Sequence, residues 1–92
     1  MSHVTRDADS LRFSGPLDRD AAARLWPQAQ QLLDGVRRFD LSAVPTVDSA
    51  GLALLAELAA RVDGGVSVLG RPTGLDELRA AFRLEDDLSF AA

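Results

Sequence analysis

The sequence predicts a small α/β domain, with strands and helices alternating along the chain. Three observations carry that expectation. Residues 11–13, 39–41 and 66–69 are short apolar or alternating runs of strand length. Each is followed, after a break containing Gly or Pro, by a longer stretch with apolar residues at helical spacing. The 92 residues leave room for one domain over positions 1–92, and a chain of that size buries roughly 60–70% of its unfolded surface.

Taken in order, residues 1–9 are polar, and Val4 marks either a brief edge strand or a loose tip. Leu11, Arg12 and Phe13 form a strand stopped by Gly15-Pro16. Asp18 is placed to cap the first helix. Its apolar stripe is Ala22, Leu25, Trp26, Ala29, Leu32, Leu33 and Val36, and Gly35 is its expected end. Pro27 sits inside that stripe and cannot donate to the carbonyl of Ala23. It predicts a kink near Trp26 or two abutting segments. Beyond the central strand and helix, Asp63-Gly64-Gly65 is a turn, and residues 66–69 are a strand apolar enough for burial on both faces. Thr73 is the expected cap of a third helix, with Asp76 three residues on. Leu75, Leu78, Ala81 and Phe82 are its buried stripe. Residues 88–90 form a last short strand or a tail lying on the core.

The middle of the chain, FDLSAVPTVDSAGLALLAELAARV from Phe39 to Val62, is the informative stretch. Phe39 and Leu41 point to one side of a strand and Asp40 to the other. Ser42, Pro45 and Thr46 break it, and Pro45 forces Val44 out of the helical region. Asp48 is a good N-cap for the helix that opens on Ser49-Ala50-Gly51. Leu52, Leu55, Ala56, Ala59 and Val62 make its apolar stripe. Leu54 and Leu58 fall off that stripe, so they either face a partner or fill the flank of a broad core.

Composition narrows the function classes. There is no cysteine, hence no disulfide framework or thiolate metal site. The ten basic residues are all Arg, and the net charge of −4 argues against nucleic acid. No apolar run approaches the ~20 residues of a membrane span, and the N-terminus has no secretory pattern, so a cytoplasmic location is expected. His3 is the sole histidine, and a lone imidazole in a polar tail does not make a Ser-His-Asp triad or a metal site. Asp18 with Asp20, and Asp86 with Asp87, are read as capping and solvated carboxylates. Gly64-Gly65 has no GxxxxGK[ST] continuation. No catalytic base and no cofactor site is found, so the expectation is a binding protein and not an enzyme. Ser49 is then an ordinary first-turn serine, or a contact point, or a phosphorylation site. A phosphate there adds about −1.5 to −2 charge, which a helix N-terminus tolerates although Asp48 repels it.

DLSAVPTVDSAGLALL resembles the signature of the STAS domain family, found in anti-sigma factor antagonists and in a small subunit of bacterial lipid-transport ABC systems. The matched positions are Asp40, Leu41, Ser42, Val47, Asp48, Ser49, Gly51 and Leu52. The resemblance implies a small mixed sheet with helices mainly on one face. Two features are similar to the lipid-transport, MlaB-like branch: the run LRFSGPLDRDAAARLW, and Ala50 in place of a second Ser or Thr. Pro27 departs from that pattern. The branch implies a non-enzymatic subunit that binds an MlaF-like ABC ATPase, within a complex of permease and lipid-binding subunits, peripheral to the inner membrane. Its implied contact residues are Thr46, Val47, Asp48, Ser49, Ala50, Gly51 and Leu54. The other branch implies an anti-sigma factor serine kinase as partner, with Ser49 as the phosphorylated residue.

Overall fold

β1 (His3–Asp7) and β2 (Ser10–Ser14) pair as an antiparallel hairpin. α1 (Arg19–Gln31) then leads to β3 (Arg38–Ala43), α2 (Ser49–Ala60) to β4 (Ser67–Leu69), and α3 (Leu75–Ala81) follows. This computed structural model describes residues 1–85 and 88. The strands lie in the order β1-β2-β3-β4, with β2, β3 and β4 parallel, so the sheet is mixed. Of the two expectations for Val4, the edge strand is the one found.

Period-two alternation decides which face of the sheet is covered. Leu11, Phe13, Phe39 and Leu41 are buried under the helices, and the Phe13 and Phe39 rings meet edge to face at 5.9 Å. Each such side chain contributes about 1.5–3 kcal/mol through burial. The residues between them, Arg12, Asp40, Arg38 and Ser42, point to the open face. There Arg12 pairs with Asp7 at 3.1 Å and Asp40 at 3.4 Å, and Arg38 with Asp9 at 3.9 Å. The helices lie on one face, and the other is a polar, ion-paired surface.

Five expectations change. β4 is an edge strand, so Ser67 and Leu69 are exposed while Val66, just before it, and Val68 turn inward. α1 runs through Pro27 as one helix, with Pro27 exposed on its surface. It stops at Gln31 and not at Gly35, because the Arg6 guanidinium takes the carbonyls of Leu32 and Asp34 at 2.7 and 2.6 Å. Thr73 does not cap α3: the cap is Gly74, with no side-chain hydrogen bond, because Thr73 is engaged with Pro45 and Val47. Ala81 and Phe82 are not core: both are exposed, Phe82 at 47%, at the end of a helix only seven residues long. Leu88 is buried on the core, whereas the rest of the expected final strand and the Asp86-Asp87 pair lie outside the described residues.

Beyond the sheet proper the chain pairs once more, and this second row positions the helix starts. Leu17 bridges Val47, and Thr46 bridges Thr73, both in parallel. Leu17 N–H donates to Thr46 O at 3.0 Å, and Asp48 N–H donates to Leu17 O at 3.1 Å. On the other side, Val47 N–H donates to Thr73 O and Thr73 N–H to Pro45 O, both at 3.0 Å. The next residues, Asp18, Asp48 and Gly74, are the N-caps of α1, α2 and α3. Three helices therefore begin at the same end of the sheet.

Two glycines permit that convergence. A Cβ on Gly51 would stand 2.1 Å from Leu17 O, and one on Gly74, at φ +93°, would stand 2.6 Å from Val47 O. Both obstacles are backbone, which cannot rotate aside. Gly51→Ala is expected to destabilise the fold by about 3 kcal/mol or more, measured by urea unfolding. Retention of wild-type stability would show that α2 does not need this close approach.

Candidate functional site

The first turn of α2 is built by local chemistry on top of that row. The Asp48 backbone is extended, with φ −99° and ψ −175°, and its Oδ1 accepts from Gly51 N–H at 2.9 Å. Asp18 caps α1 in the same way, accepting from Ala21 N–H at 2.9 Å. Both caps were legible in the sequence. The Asp48 cap satisfies one of the first free N–H groups of α2.

The implied contact residues divide into two groups. Thr46, Asp48 and Ser49 are exposed, and Ala50 is half-buried. Val47 and Gly51 are buried, because Val47 sits in the pairing row and Gly51 lies against Leu17. Leu54 is corrected: it is only 5% exposed, and Leu58 is fully buried. The broad-core alternative accounts for both, since α2 is packed by α1 on one side and α3 on the other. Leu54 contributes only to the floor of a groove and does not project as a contact.

The accessible part of α2 is a ridge of Ser49, Ala53, Glu57 and Ala60 with a groove on each side. The groove toward α1, about 320 Å³, includes Ala22, Ala23, Trp26 and Leu54. The groove toward α3, about 260 Å³, includes Leu52, Ala56, Phe82 and Leu84. Ala53 and Glu57 line both. Sequence reasoning missed Phe82 as a surface feature, because it was read only against its own helix. A larger cleft of about 510 Å³, between β4 and α3, is lined by none of the implied contact residues.

Among the described residues, no group of three or more His, Asp or Glu is placed to hold a metal ion. The Ser49 hydroxyl is exposed and lies beside the Asp48 cap, whose carboxylate is already committed to Gly51 N–H. His3 lies in β1, opposite Ser14.

Asp40, at the start of the motif, has a separate task. Its carboxylate accepts from the Ser42 hydroxyl and, at 3.0 Å, from the Ser42 N–H. These two bonds from Ser42 hold its pKa below the ordinary aspartate value; burial opposes them, and the Arg12 guanidinium adds to the lowering. The end of β3 is thereby tied down before the chain turns into the loop.

A one-sided mixed sheet that presents a capped helix start defines a STAS-type α/β module. The family model described as "Mlab, STAS domain" matches residues 2–89, and the chain belongs to that family. It is 44% identical over 50 residues to the intermembrane phospholipid transport system binding protein MlaB of Escherichia coli K12, and equally to that of Shigella flexneri. Each match covers 54% of this chain and 52% of the relative, so it spans about half the length of these curated proteins. A solved structure titled "Crystal Structure Analysis of Mglu" superimposes with a TM-score of 0.52 at 26% identity, over 78% of this chain and 19% of that one. No helix of the described residues is long and apolar enough to cross a membrane.

Two measurements check the site's construction. Asp48→Ala is expected to cost about 1 kcal/mol by loss of the cap, and Asp48→Asn much less; equal losses in urea unfolding would mean the carboxylate's role is not capping. For Asp40 the folded pKa lies below the unfolded one. Its stabilisation is therefore present above the ordinary carboxylate pKa and disappears as pH falls through the lower folded value. Ser42→Ala is expected to raise the Asp40 midpoint toward the ordinary value, read by NMR titration of its carboxyl carbon. An unmoved midpoint would assign the shift elsewhere.

Proposed function

We propose that this chain is a non-enzymatic subunit of a phospholipid-transport ABC complex, which docks on the complex's ATPase and supports its assembly and activity. Its place would be the cytoplasmic face of the inner membrane, held there by its partner and not by a span of its own. In that role it would help to keep outer-membrane lipids asymmetric. The observation that carries this reading is the first turn of α2. The backbone entering it is fixed by hydrogen bonds from Asp48 N–H to Leu17 O and from Val47 N–H to Thr73 O, while Thr46, Asp48 and Ser49 stay accessible at the tip. The phospholipid-transport names of the MlaB relatives supply the class of complex. A preformed tip binds without a large ordering cost, which suits a constitutive subunit.

The exposed Ser49 hydroxyl also favours a second reading, in which the chain is an anti-sigma factor antagonist phosphorylated at Ser49 by a partner kinase. The new phosphate would meet the repulsion of Asp48 and alter the docking tip without entering the core. Incubation with candidate kinases and ATP, read by intact mass, separates the two.

Ser49→Arg places a long cation on the tip. It is expected to leave thermal unfolding unchanged within a few degrees and to reduce recovery of the ATPase in a pull-down about tenfold or more. Normal recovery by a well-folded variant would remove the α2 tip from the interface.

A further inference from the structure

We propose that Glu57 selects the docking element, which is a partner helix carrying one Arg or Lys between two apolar side chains. This deepens the ATPase-docking reading and rests on it. Glu57 is exposed and lines both grooves of α2, so an element laid across the two grooves passes over its side chain. A carboxylate covered without a partner loses its hydration for nothing and opposes docking.

Nothing among the described residues neutralises it in advance. Arg61 is four residues on, the position from which a helix cation ordinarily pairs with Glu. Here the Arg61 guanidinium stands over the Trp26 ring instead, 5.1 Å from its centroid. The other described acid–base contacts are Arg12 with Asp7 and Asp40, Arg38 with Asp9, and Arg79 with Asp76, all away from Glu57. The one charge on an otherwise small and apolar ridge is therefore a carboxylate awaiting a cation.

The shape adds spacing. The grooves lie on either side of α2, about one helix width or roughly 10 Å apart. On a helix crossing the ridge, roughly 10 Å is seven residues at a rise of about 1.5 Å. The recognised element then has two apolar side chains seven residues apart, one per groove, and a basic residue three or four along between them. Ala53 on the crest admits the close approach, and Phe82 at 47% exposure walls the second groove. Arg suits the middle position better than Lys, because its guanidinium can grip both carboxylate oxygens while its stem lies on apolar surface.

The test is binding of the full chain to the purified ATPase subunit, by calorimetry at two salt concentrations, about 0.05 and 0.3 M. Glu57→Gln is expected to weaken binding about tenfold and to flatten the salt dependence, and Glu57→Arg about a hundredfold. Glu57→Asp should keep most of the salt dependence, and Phe82→Ser should weaken binding without altering it. Both residues changed, Glu57 and Phe82, are at exposed positions, and circular dichroism confirms folding. If Ser49→Arg abolishes binding while Glu57→Gln and Glu57→Arg bind like wild type, docking stands and the charge selection is overturned. If the unmodified chain does not bind the ATPase, the docking reading itself falls, and this inference with it.

Discussion

The carbonyl oxygen of Leu17 is the contact on which the arrangement depends. It accepts the Asp48 N–H and occupies the space that any side chain at position 51 would need. The contact is backbone against backbone, so no rotamer change relieves it. It sets the first turn of α2 directly on the entrance to α1. The direction in which Ser49 faces is therefore a consequence of main-chain geometry and not of how the core side chains happen to pack. The core can vary in volume while the tip stays where it is.

The one-sided sheet explains the composition of α2. With one sheet face open to water, the apolar residues of β2 and β3 must all be covered from the other side. α2 lies over them between α1 and α3, and is thus enclosed on three sides. A helix so placed has little surface on which polar residues are needed, and Leu52, Leu54, Leu55 and Leu58 are all buried. The excess of leucine is a packing requirement. The surface left over is narrow, and small residues dominate it.

Legibility in the sequence followed the range of the interaction. The strands at residues 11–13 and 39–41 and the caps Asp18 and Asp48 depend on neighbours within four positions, and each was readable. The end of α1 was not, because it is set by Arg6, 26 residues from Leu32. Nor was the α3 cap: Thr73 has the right chemistry, but a parallel strand recruits its backbone first. Leu54 and Leu58 stayed ambiguous because a single helix does not reveal how many neighbours flank it. One signal was present and unused. Pro16-Leu17-Asp18, Pro45 followed by Val47-Asp48, and Pro72-Thr73-Gly74 repeat a breaker, a pairing residue and a cap. That repetition marks three strand–helix junctions brought to one level.

The two exposed surfaces differ in how far their charges are already satisfied. On the open face of the sheet, Arg12, Arg38, Asp7, Asp9 and Asp40 are paired among themselves. Each such exposed pair contributes only about 0–1 kcal/mol to stability, yet together they leave that face with little unsatisfied demand for a partner's charge. On α2 the pattern is reversed. The tip is held by its own backbone, the ridge carries small side chains, and its carboxylate lies beside a cation turned toward Trp26. On the docking reading, recognition falls on the helix side of the sheet, the side that also holds the core. Substitutions along the α2 ridge should then be felt mainly in binding, and those that break a polar-face pair should change stability by no more than about 1 kcal/mol each.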